Sequence, residues 1–260
     1  MKWLKRSYLG LILLFLYAPI VTLIVFSFNA GKTMGIWRGF SLQWYVQLFQ
    51  DATIMRSLGV TMSVALLSAL GATLLGTMAA IGIHSMKSRR RAVVENISYI
   101  PMLSPDIVTG ISLMLLFVFL GARLSYTTML LAHITFNLPY VIFSVLPKLQ
   151  QLPPHHYEAA LDLGAKPSYA LRRIVLPQIM PGVITGAIFA FTLSIDDFVI
   201  SYFTSQDVPN LSMTIYNMAR RGINPKINAL STLMFVSVVT LLVVVNVRSV
   251  RQQRKEHLIK

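Results

Sequence analysis

The chain has 260 residues, of which 55% are hydrophobic and only 12% are charged, and its mean hydropathy is +0.65. Because a soluble domain carries about 25% charged residues, this composition indicates a membrane protein that crosses the bilayer several times and excludes a large soluble domain. The formal net charge of +14 does not predict a nucleic-acid partner, because the Lys and Arg residues lie in short loops between apolar runs.

Six apolar runs are each long enough to cross a hydrocarbon core of about 30 Å. The first follows Lys2, Lys5 and Arg6, and it is predicted to be an uncleaved span because it is too long for a secretory signal and lacks a cleavage site. The predicted spans are residues 8–28, 58–83, 97–120, 126–146, 178–203 and 227–247. Together they predict one transmembrane domain, residues 1–260, with both termini on the same side.

The first predicted loop outside the membrane, residues 29–56, contains a stretch with helix-like apolar spacing at residues 40–49. Trp44 and Tyr45 lie at its centre. This pattern is typical of a helix that lies in the membrane interface and is anchored by aromatic side chains. It also fits a docking surface for an external protein, and the two interpretations are compatible.

Small residues recur in the second predicted span, among them Gly71 and Gly76. Small side chains let helices approach closely where lipid gives no hydrophobic drive for association, so they predict helix packing rather than a pore lining. The other members of the set are Gly59, Ser63, Ser68, Ala79 and Gly82.

The distribution of basic residues predicts which side of the membrane each loop faces. About 16 lie in the N-terminal tail, the loops at residues 87–91 and 148–173, and the C-terminal segment 248–260, whereas about 7 lie in the opposite loops. Because cytoplasmic loops carry an excess of Lys and Arg, both termini and the loop before the fifth span are predicted to be cytoplasmic.

The loop before the fifth span carries the clearest functional pattern, a polar run from Glu158 to Gly164. Ala160 and Gly164 lie four residues apart on one helix face, where another backbone can approach closely, and Glu158 and Asp162 share a neighbouring face. Gly164 is predicted to end this helix and Pro167 to begin the next. From spacing alone, a solvated loop helix and a partner-binding helix stay equally open.

Three carboxylates lie within or at the ends of predicted spans: Asp106, Asp196 and Asp197. No Lys or Arg lies well inside a span, and acids without cationic partners in a bilayer usually face water or a transport pathway. A rise of 1.5 Å per residue places Asp106 near the midplane, about 15 Å from the inner end of its span, and the other two near the outer mouth. A pathway lined by these acids favours cations.

Asp106 also has a structural interpretation. The sequence Ser104-Pro105-Asp106 is typical of a helix start, with Ser104 as the N-cap, Pro105 in the first turn and an acid favoured by the helix dipole. A helix that restarts at the midplane is itself a common way to build a transport site, so the two interpretations do not exclude each other.

Aromatic residues lie near the predicted outer end of the pathway. Tyr202, Phe203 and Tyr216 could make cation–π contacts with an ammonium group. They could equally be membrane-interface residues.

The run that begins at Glu158 and ends at Pro177 resembles the Glu-Ala-Ala loop of permease subunits of bacterial ATP-binding-cassette (ABC) importers, and the whole chain resembles the spermidine/putrescine branch of these permeases. Relatives in that branch carry other small solutes, so another small cationic or amine solute is the alternative substrate. The matching stretches are Ser104-Pro105-Asp106-Ile107-Val108, His133-Ile134-Thr135-Phe136, Leu138-Pro139, Glu158-Ala159-Ala160-Leu161-Asp162-Leu163-Gly164-Ala165, Leu176-Pro177, Phe191-Thr192-Leu193-Ser194-Ile195-Asp196-Asp197, Asn224-Pro225 and Asn228-Ala229.

The resemblance implies an all-α membrane protein with the type I ABC importer permease fold, six spans and a location in the bacterial inner membrane. It implies a second similar permease, two ATPase subunits that bind ATP and Mg in place of any cofactor in this chain, and a periplasmic or lipid-anchored solute-binding protein. The resemblance also implies an ATPase-coupling loop at residues 148–176. The implied contact residues of this loop, with Pro177 directly after it, are Glu158, Ala159, Ala160, Asp162, Gly164, Leu176 and Pro177. The candidate substrate-pathway residues are Asp106, Asp196, Asp197, Tyr202 and Tyr216.

Nothing in the sequence predicts catalysis by this chain. It contains no Cys, its five His show no metal-ligand spacing, and no metal site is predicted. It has no G-x-x-x-x-G-K-[ST] phosphate loop and no nucleophile–base constellation, so it is predicted to be a transport subunit rather than an enzyme. A proton-coupled secondary transporter is a further alternative, but such proteins usually show two repeated halves, and none are evident here.

Overall fold

A computed structural model describes residues 2–32, 36–153, 155–222 and 225–258, with the side chains in these ranges apart from those of residues 2–5, 155–156, 241–242 and 244–258. Most of the described residues are helical, and one isolated antiparallel bridge joins Asn29 and Phe40. The predicted all-α fold class is confirmed. Asn224, one of the residues in the family resemblance, lies outside the described ranges.

The helices follow one another with short connections. In chain order they are α1 (Lys2–Ser27), α2 (Gln43–Gln50), α3 (Ala52–His84), α4 (Ser88–Leu103), α5 (Asp106–Phe119), α6 (Tyr126–Gln150), α7 (His155–Asp162), α8 (Pro167–Ala170), α9 (Leu176–Asp196), α10 (Val199–Thr204), α11 (Leu211–Arg220) and α12 (Pro225–Leu258). A π-helical turn, Leu171–Val175, joins α8 to α9.

Four helical segments of the described residues are long and apolar enough to cross a membrane: Arg6–Ser27, Ala52–His84, Tyr126–Gln150 and Pro167–Asp196. They overlap the predicted first, second, fourth and fifth spans. The predicted sixth span falls in α12, where Pro225–Thr240 is a shorter apolar helix. The count of six spans and the cytoplasmic position of both termini therefore stay predictions.

The predicted third span, residues 97–120, is not one straight helix. It falls on α4 and α5, which meet at an angle of 104°. Pro105 lacks an N–H group and disfavours helical geometry in the residue before it, and Ser104 is accordingly extended, with ψ of 140°. The predicted N-cap role of Ser104 is wrong, because its hydroxyl donates backwards to the Ile100 carbonyl at 3.0 Å, whereas the Pro105 carbonyl accepts the first bond of α5, from the amide of Val108.

The chain divides into two compact units, one of residues 1–55 and 215–260 and the other of residues 56–214. In the first unit, α1 and α2 each pack against α12. In the second unit, α6 packs against α9 and also contacts α4, α5 and α10. The candidate coupling segment, which is the predicted coupling loop at residues 148–176, and the three acids Asp106, Asp196 and Asp197 all belong to the second unit.

The contact between α6 and α9 depends on small residues. Four of them recur every four positions on the buried face of α9: Gly182, Gly186, Ala190 and Ser194. A Cβ atom on Gly182 would lie 2.7 Å from the carbonyl oxygen of Ser144 in α6, a distance that real side chains do not tolerate. Because lipid gives no hydrophobic drive between helices, this close approach is what holds α9 against α6.

The predicted packing role of small residues in the second span is confirmed for two of them. A Cβ on Gly71 would lie 3.0 Å from the Ile134 side chain, and one on Gly76 would lie 2.8 Å from Val141. Both neighbours belong to α6, so α3 and α9 each approach this helix through glycines. A Cβ on Gly82, in contrast, would meet nothing within 4 Å.

A buried polar contact adds to this packing between α3, α6 and α9. The side-chain amide of Asn137 donates to the hydroxyl of Ser194 at 2.8 Å, and that hydroxyl lies 2.9 Å from the hydroxyl of Ser68. All three residues are at most 2% exposed. Polar side chains that bond across helices contribute about 0.6–2 kcal/mol each in membranes, so this cluster helps to fix the register of the three helices.

The predicted interfacial role of Trp44 is wrong, because Trp44 is only 5% exposed and its indole N–H donates to the Asn29 carbonyl at 2.7 Å. Tyr45 also bonds within the chain, through its hydroxyl and that of Ser27 at 2.7 Å. The loop does expose other apolar side chains, among them Phe40 and Phe49. The predicted helix is therefore present as α2, but Trp44 does not anchor it at a membrane interface, and the docking interpretation of the loop stays a prediction.

Asp51 closes the end of α2 in the first unit. Its carboxylate lies 2.9 Å from the ammonium group of Lys226, and the hydrogen bond from Lys226 is the main cause that lowers the pKa of Asp51 below its ordinary value of 3.8. A lowered carboxyl pKa keeps the ion pair intact at neutral pH, and its contribution to stability is lost only as the pH falls through that lowered pKa.

Gly182→Ala should destabilise the protein by about 1–3 kcal/mol, because the added methyl group overlaps the Ser144 carbonyl and forces α9 away from α6. Gly82→Ala is the matched control, since its methyl group enters open space. Thermal unfolding of the two variants in detergent measures the difference. Equal melting temperatures for Gly182→Ala and the parent would show that the α6–α9 contact is not close-packed.

Candidate coupling segment and acidic sites

The helix α7 ends near Gly164, as the sequence of the polar run predicts. Gly164 has φ of 82°, a left-handed conformation that glycine adopts without strain. Its N–H donates to the Leu161 carbonyl at 2.9 Å, and the N–H of Ala165 donates to the Ala160 carbonyl at 3.0 Å. These two bonds form a Schellman motif that satisfies the last carbonyls of the helix. Pro167 then occupies the first turn of α8, so both predicted boundaries are confirmed.

The predicted close-packing face of Ala160 and Gly164 is not one open surface. Ala160 is 8% exposed and packs inside the chain, whereas a Cβ on Gly164 would meet nothing within 4 Å. The Schellman turn separates the two, because Gly164 lies beyond the last helical residue and no longer follows the helical spacing. Only Gly164 therefore offers a close approach to a partner.

The outward surface of the segment is formed by Glu158, Ala159, Asp162 and Leu163. Leu163 is 89% exposed, and it lies in the turn after α7, where it cannot pack on its own helix. Leu163 is not among the predicted contact residues, although a leucine next to a helix-ending glycine is a signal for an exposed apolar tip. An apolar side chain in this position is well placed to be buried by a partner.

A cavity of about 590 Å³ lies between α7 and the neighbouring helix ends of the second unit. Its walls are mostly apolar, with Leu149, Leu152 and Ile174 among them, and Glu158 is one of the polar residues that line it. Of the two residues that close the predicted coupling loop, Leu176 is partly buried and Pro177 is exposed at the start of α9. The segment is thus separated from the helix bundle by a groove rather than packed flat against it.

Asp197 is a buried structural group in this structure. Its side chain is 6% exposed, and its carboxylate accepts hydrogen bonds from the amides of Ile200 and Ser201 and from the Ser201 hydroxyl. The Nε2 atom of His133 in α6 lies 3.3 Å from Asp197 Oδ2 and 2.9 Å from the Ser201 hydroxyl. The side-chain amide of Asn210 donates to the Asp197 carbonyl and to the same hydroxyl.

This cluster explains how the chain turns after α9. The Asp197 carboxylate holds the first amides of α10, while His133 and Asn210 connect that turn to α6 and to the start of α11. Asp197 therefore does not offer its charge to a solute here. The sequence suggested that this acid has no partner, and that prediction is wrong because His133 lies beside it. Nothing in the spacing indicated the pair, because 64 residues separate the two positions along the chain.

Asp196 and Asp106 have the opposite environment. Both are exposed, Asp196 as the last residue of α9 and Asp106 as the first residue of α5. An acid in the first turn is favoured by the helix dipole, which agrees with the structural interpretation of Asp106 and leaves its carboxylate accessible. No group of three or more His, Asp or Glu that could hold a metal occurs among the described residues.

The two tyrosines of the predicted pathway are both about half exposed, Tyr202 at 52% and Tyr216 at 47%. Tyr202 lies in α10, where its ring centroid is 5.4 Å from that of Phe198 and 5.5 Å from that of Phe203. Tyr216 lies in α11 and belongs to the other compact unit. Tyr202 therefore shares the second unit with the exposed acids, and its packed ring is held in place.

Comparison with known proteins places the chain among transport permeases. Residues 72–255 match the family described as "Binding-protein-dependent transport system inner membrane component". The spermidine/putrescine transport system permease protein PotC of Escherichia coli strain K12 is 38% identical over 236 residues, which cover 90% of this chain and 89% of that protein. The putrescine transport system permease protein PotI of the same strain is 39% identical over 229 residues, with coverages of 84% and 81%.

The fold is also found in solved structures. A chain from the crystal structure of a bacterial ABC transporter involved in the import of the acidic polysaccharide alginate superimposes with a TM-score of 0.72 and covers 95% of both chains. Its sequence identity is 14%, so this likeness concerns the fold alone. The predicted ABC importer permease fold is confirmed.

Asp197→Asn should lower stability by about 1–3 kcal/mol, because an amide group in place of one carboxylate oxygen leaves a buried donor facing donors. The adjacent substitution Asp196→Asn is the matched control and should change stability by no more than about 0.5 kcal/mol, since its side chain is exposed. Unfolding temperatures of both variants give the comparison. If the two variants unfold at the same temperature, the Asp197 cluster does not stabilise the fold.

Proposed function

This chain belongs to the binding-protein-dependent transport system inner membrane component family, and we propose that it forms half of the translocation pathway of an ABC importer for polyamines. It is a transport subunit and not an enzyme. The observation that supports a cationic substrate is the exposure of Asp106 and Asp196, in a chain without Lys or Arg deep in its predicted spans. The polyamine class follows from the relatives PotC and PotI, whose names specify spermidine and putrescine.

The proposed complex contains this chain, a second similar permease, two ATPase subunits and an external solute-binding protein in the bacterial inner membrane. ATP and Mg bind to the ATPase subunits, and this chain itself holds no cofactor. The family description, which specifies binding-protein-dependent transport, supports the external partner. The loop that begins with Asn29 is the proposed contact on that side, because it carries the exposed side chains of Phe40 and Phe49.

The coupling segment is proposed to be the ATPase contact, and α9 connects it with the acidic end of the pathway. The segment Pro167–Asp196 is continuous through the π turn, and its 30 residues span about 45 Å at a rise of 1.5 Å per residue. If ATPase closure displaces the coupling segment, this continuous helix would transmit the displacement to Asp196. The close contact between α9 and α6 lets these two helices move together.

The pathway acts on a polyamine through weak, successive contacts. Each ammonium group exchanges part of its hydration for a carboxylate at Asp196 and then at Asp106, and the half-exposed ring of Tyr202 can add a cation–π contact. Binding at each step stays weak, because a pathway that holds its solute tightly cannot release it. An anionic solute would be repelled by the same carboxylates.

Asp106→Asn and Asp196→Asn are expected to lower the uptake of spermidine and putrescine severalfold while ATP hydrolysis stays coupled to the binding protein, because the amide keeps the size of the side chain and removes its charge. Asp207→Asn, which removes an exposed acid between α10 and α11, is the charge-matched control. The measurement is ATP-driven uptake by the complete complex in proteoliposomes. Uptake at the parent rate in both variants would contradict a cationic pathway, and uptake of a different small cation alone would favour the alternative solute class.

Leu163→Ser should weaken assembly with the ATPase subunits about tenfold to a hundredfold, because burial of a leucine contributes about 1.5–3 kcal/mol. Leu163→Met, which keeps an apolar side chain, is the control. Gly164 is less suitable for this test, since any side chain at its φ of 82° strains the backbone of α7 itself. Copurification of the ATPase with each variant measures assembly, and normal recovery with Leu163→Ser would exclude this tip as the contact.

A further inference from the structure

A basic cavity lies at the start of the long helical segment Pro167–Asp196. Its volume is about 560 Å³, and it is separate from the apolar cavity behind α7. Every side chain in its lining can donate hydrogen bonds, three of them carry a positive charge, and none is acidic. The lining residues are Lys166, Ser168, Tyr169, Arg172 and Arg173.

The backbone explains why these side chains face outwards together. Ala170 and Val175 are buried, and they fix the inner face of α8 and of the π turn against the second unit. Tyr169, Arg172 and Arg173 occupy the opposite face and are all exposed. The wider π turn therefore places two arginines next to a tyrosine within one and a half turns of helix.

The positive charges of this cavity are not neutralised by the chain. Among the described residues, the side chains of Lys166, Arg172 and Arg173 make no hydrogen bond or ion pair. A smaller cavity beside α4 provides the contrast, because there Arg91 bonds Glu95 at 2.7 Å and the two charges cancel. The cavity at α8 is thus a cluster of donors whose charge is available to an anion from outside the chain.

The position of the cavity identifies the source of that anion. Arg173 precedes the predicted start of the fifth span, residue 178, by five residues, or about 8 Å along a helix. That depth corresponds to the headgroup layer of a bilayer, where tyrosine side chains are also enriched. The same segment is apolar enough to cross a membrane from Pro167 onwards, so a span that begins at the predicted residue 178 would bring these charges to the level of the lipid phosphates.

We infer that this cavity binds the phosphate headgroup of an anionic phospholipid of the cytoplasmic leaflet. Arg172 and Arg173 bind the phosphate oxygens, since guanidinium groups donate paired hydrogen bonds to phosphate, and Lys166 with the Tyr169 hydroxyl completes the set of donors. The cavity lies inside the predicted coupling loop, residues 148–176, and the lipid would hold the start of the long helix at a fixed depth beside the Glu158–Gly164 run that is proposed to contact the ATPase. The inference depends on the predicted cytoplasmic side of this loop and not on the identity of the solute.

The test uses the complete importer in lipid nanodiscs of phosphatidylcholine alone or with added phosphatidylglycerol. The double variant Arg172→Gln/Arg173→Gln is compared with Arg89→Gln/Arg90→Gln, which removes the same charge from exposed positions of α4. Native mass spectrometry measures retained phosphatidylglycerol, and the ratio of ATP hydrolysis rates in the two lipids measures its effect. The parent and the α4 variant should retain the lipid and show a ratio above one, whereas the Arg172/Arg173 variant should bind it at least about tenfold more weakly, with a ratio near one.

Three results would overturn the inference. Equal lipid retention and equal rate ratios in the two double variants would show that only the overall charge matters. Stimulation of the phosphatidylcholine sample by millimolar inorganic phosphate would assign the cavity to a free anion. Loss of the ATPase subunits from the Arg172→Gln/Arg173→Gln complex in both lipids would assign the arginines to the ATPase contact.

Arg172→Lys/Arg173→Lys provides a second variant that keeps the charge, and it should retain most of the lipid effect if the inference is correct.

Discussion

The close contact between α6 and α9 is the constraint on which the rest of the second unit depends. Gly182 and Gly186 let the two backbones approach so closely that a Cβ atom on either glycine would be crowded by α6. Asn137 and Ser194 add a buried hydrogen bond between the same two helices. In a bilayer, such packing replaces the hydrophobic drive that stabilises soluble helices. The contact makes α6 and α9 one body, and α9 joins the coupling segment at one end to the acidic pair at the other.

The two neighbouring acids at the end of α9 show how one sequence motif serves two tasks. Asp197 is buried, bonds three donors and lies beside His133, so its charge is used to shape the turn into α10. Asp196 is exposed, and in the proposed function its charge attracts the solute. The rigidity that Asp197 provides holds Asp196 at a defined place, which a pathway of weak and brief contacts requires.

The sequence predicted those features that depend on neighbouring residues. The apolar runs predicted four of the spans. Gly164 marked the end of α7 and Pro167 the start of α8. Both kinds of prediction succeeded because capping and span length are local properties. Features that depend on distant residues were missed or wrong. His133 is far from Asp197 in sequence, Trp44 is buried only because the chain folds back to the Asn29 carbonyl, and Ala160 packs inward because of residues outside its own helix. Pro105 marked a helix start, but the residues around it did not give the 104° angle between α4 and α5.

The central claim is that Pro167–Asp196 moves as one rigid helix between the coupling segment and the acids. Because the chain has no native Cys, spin labels at Tyr169→Cys and Phe189→Cys report one defined distance, about 30 Å for twenty helical residues. Pulsed electron paramagnetic resonance of the complete complex, with and without bound ATP, is the most direct measurement. A rigid helix gives the same narrow distance distribution with and without bound ATP, and this is the expected result. A shift of several ångströms on ATP binding would show that the π turn is a hinge, and it would contradict transmission through a single rigid helix.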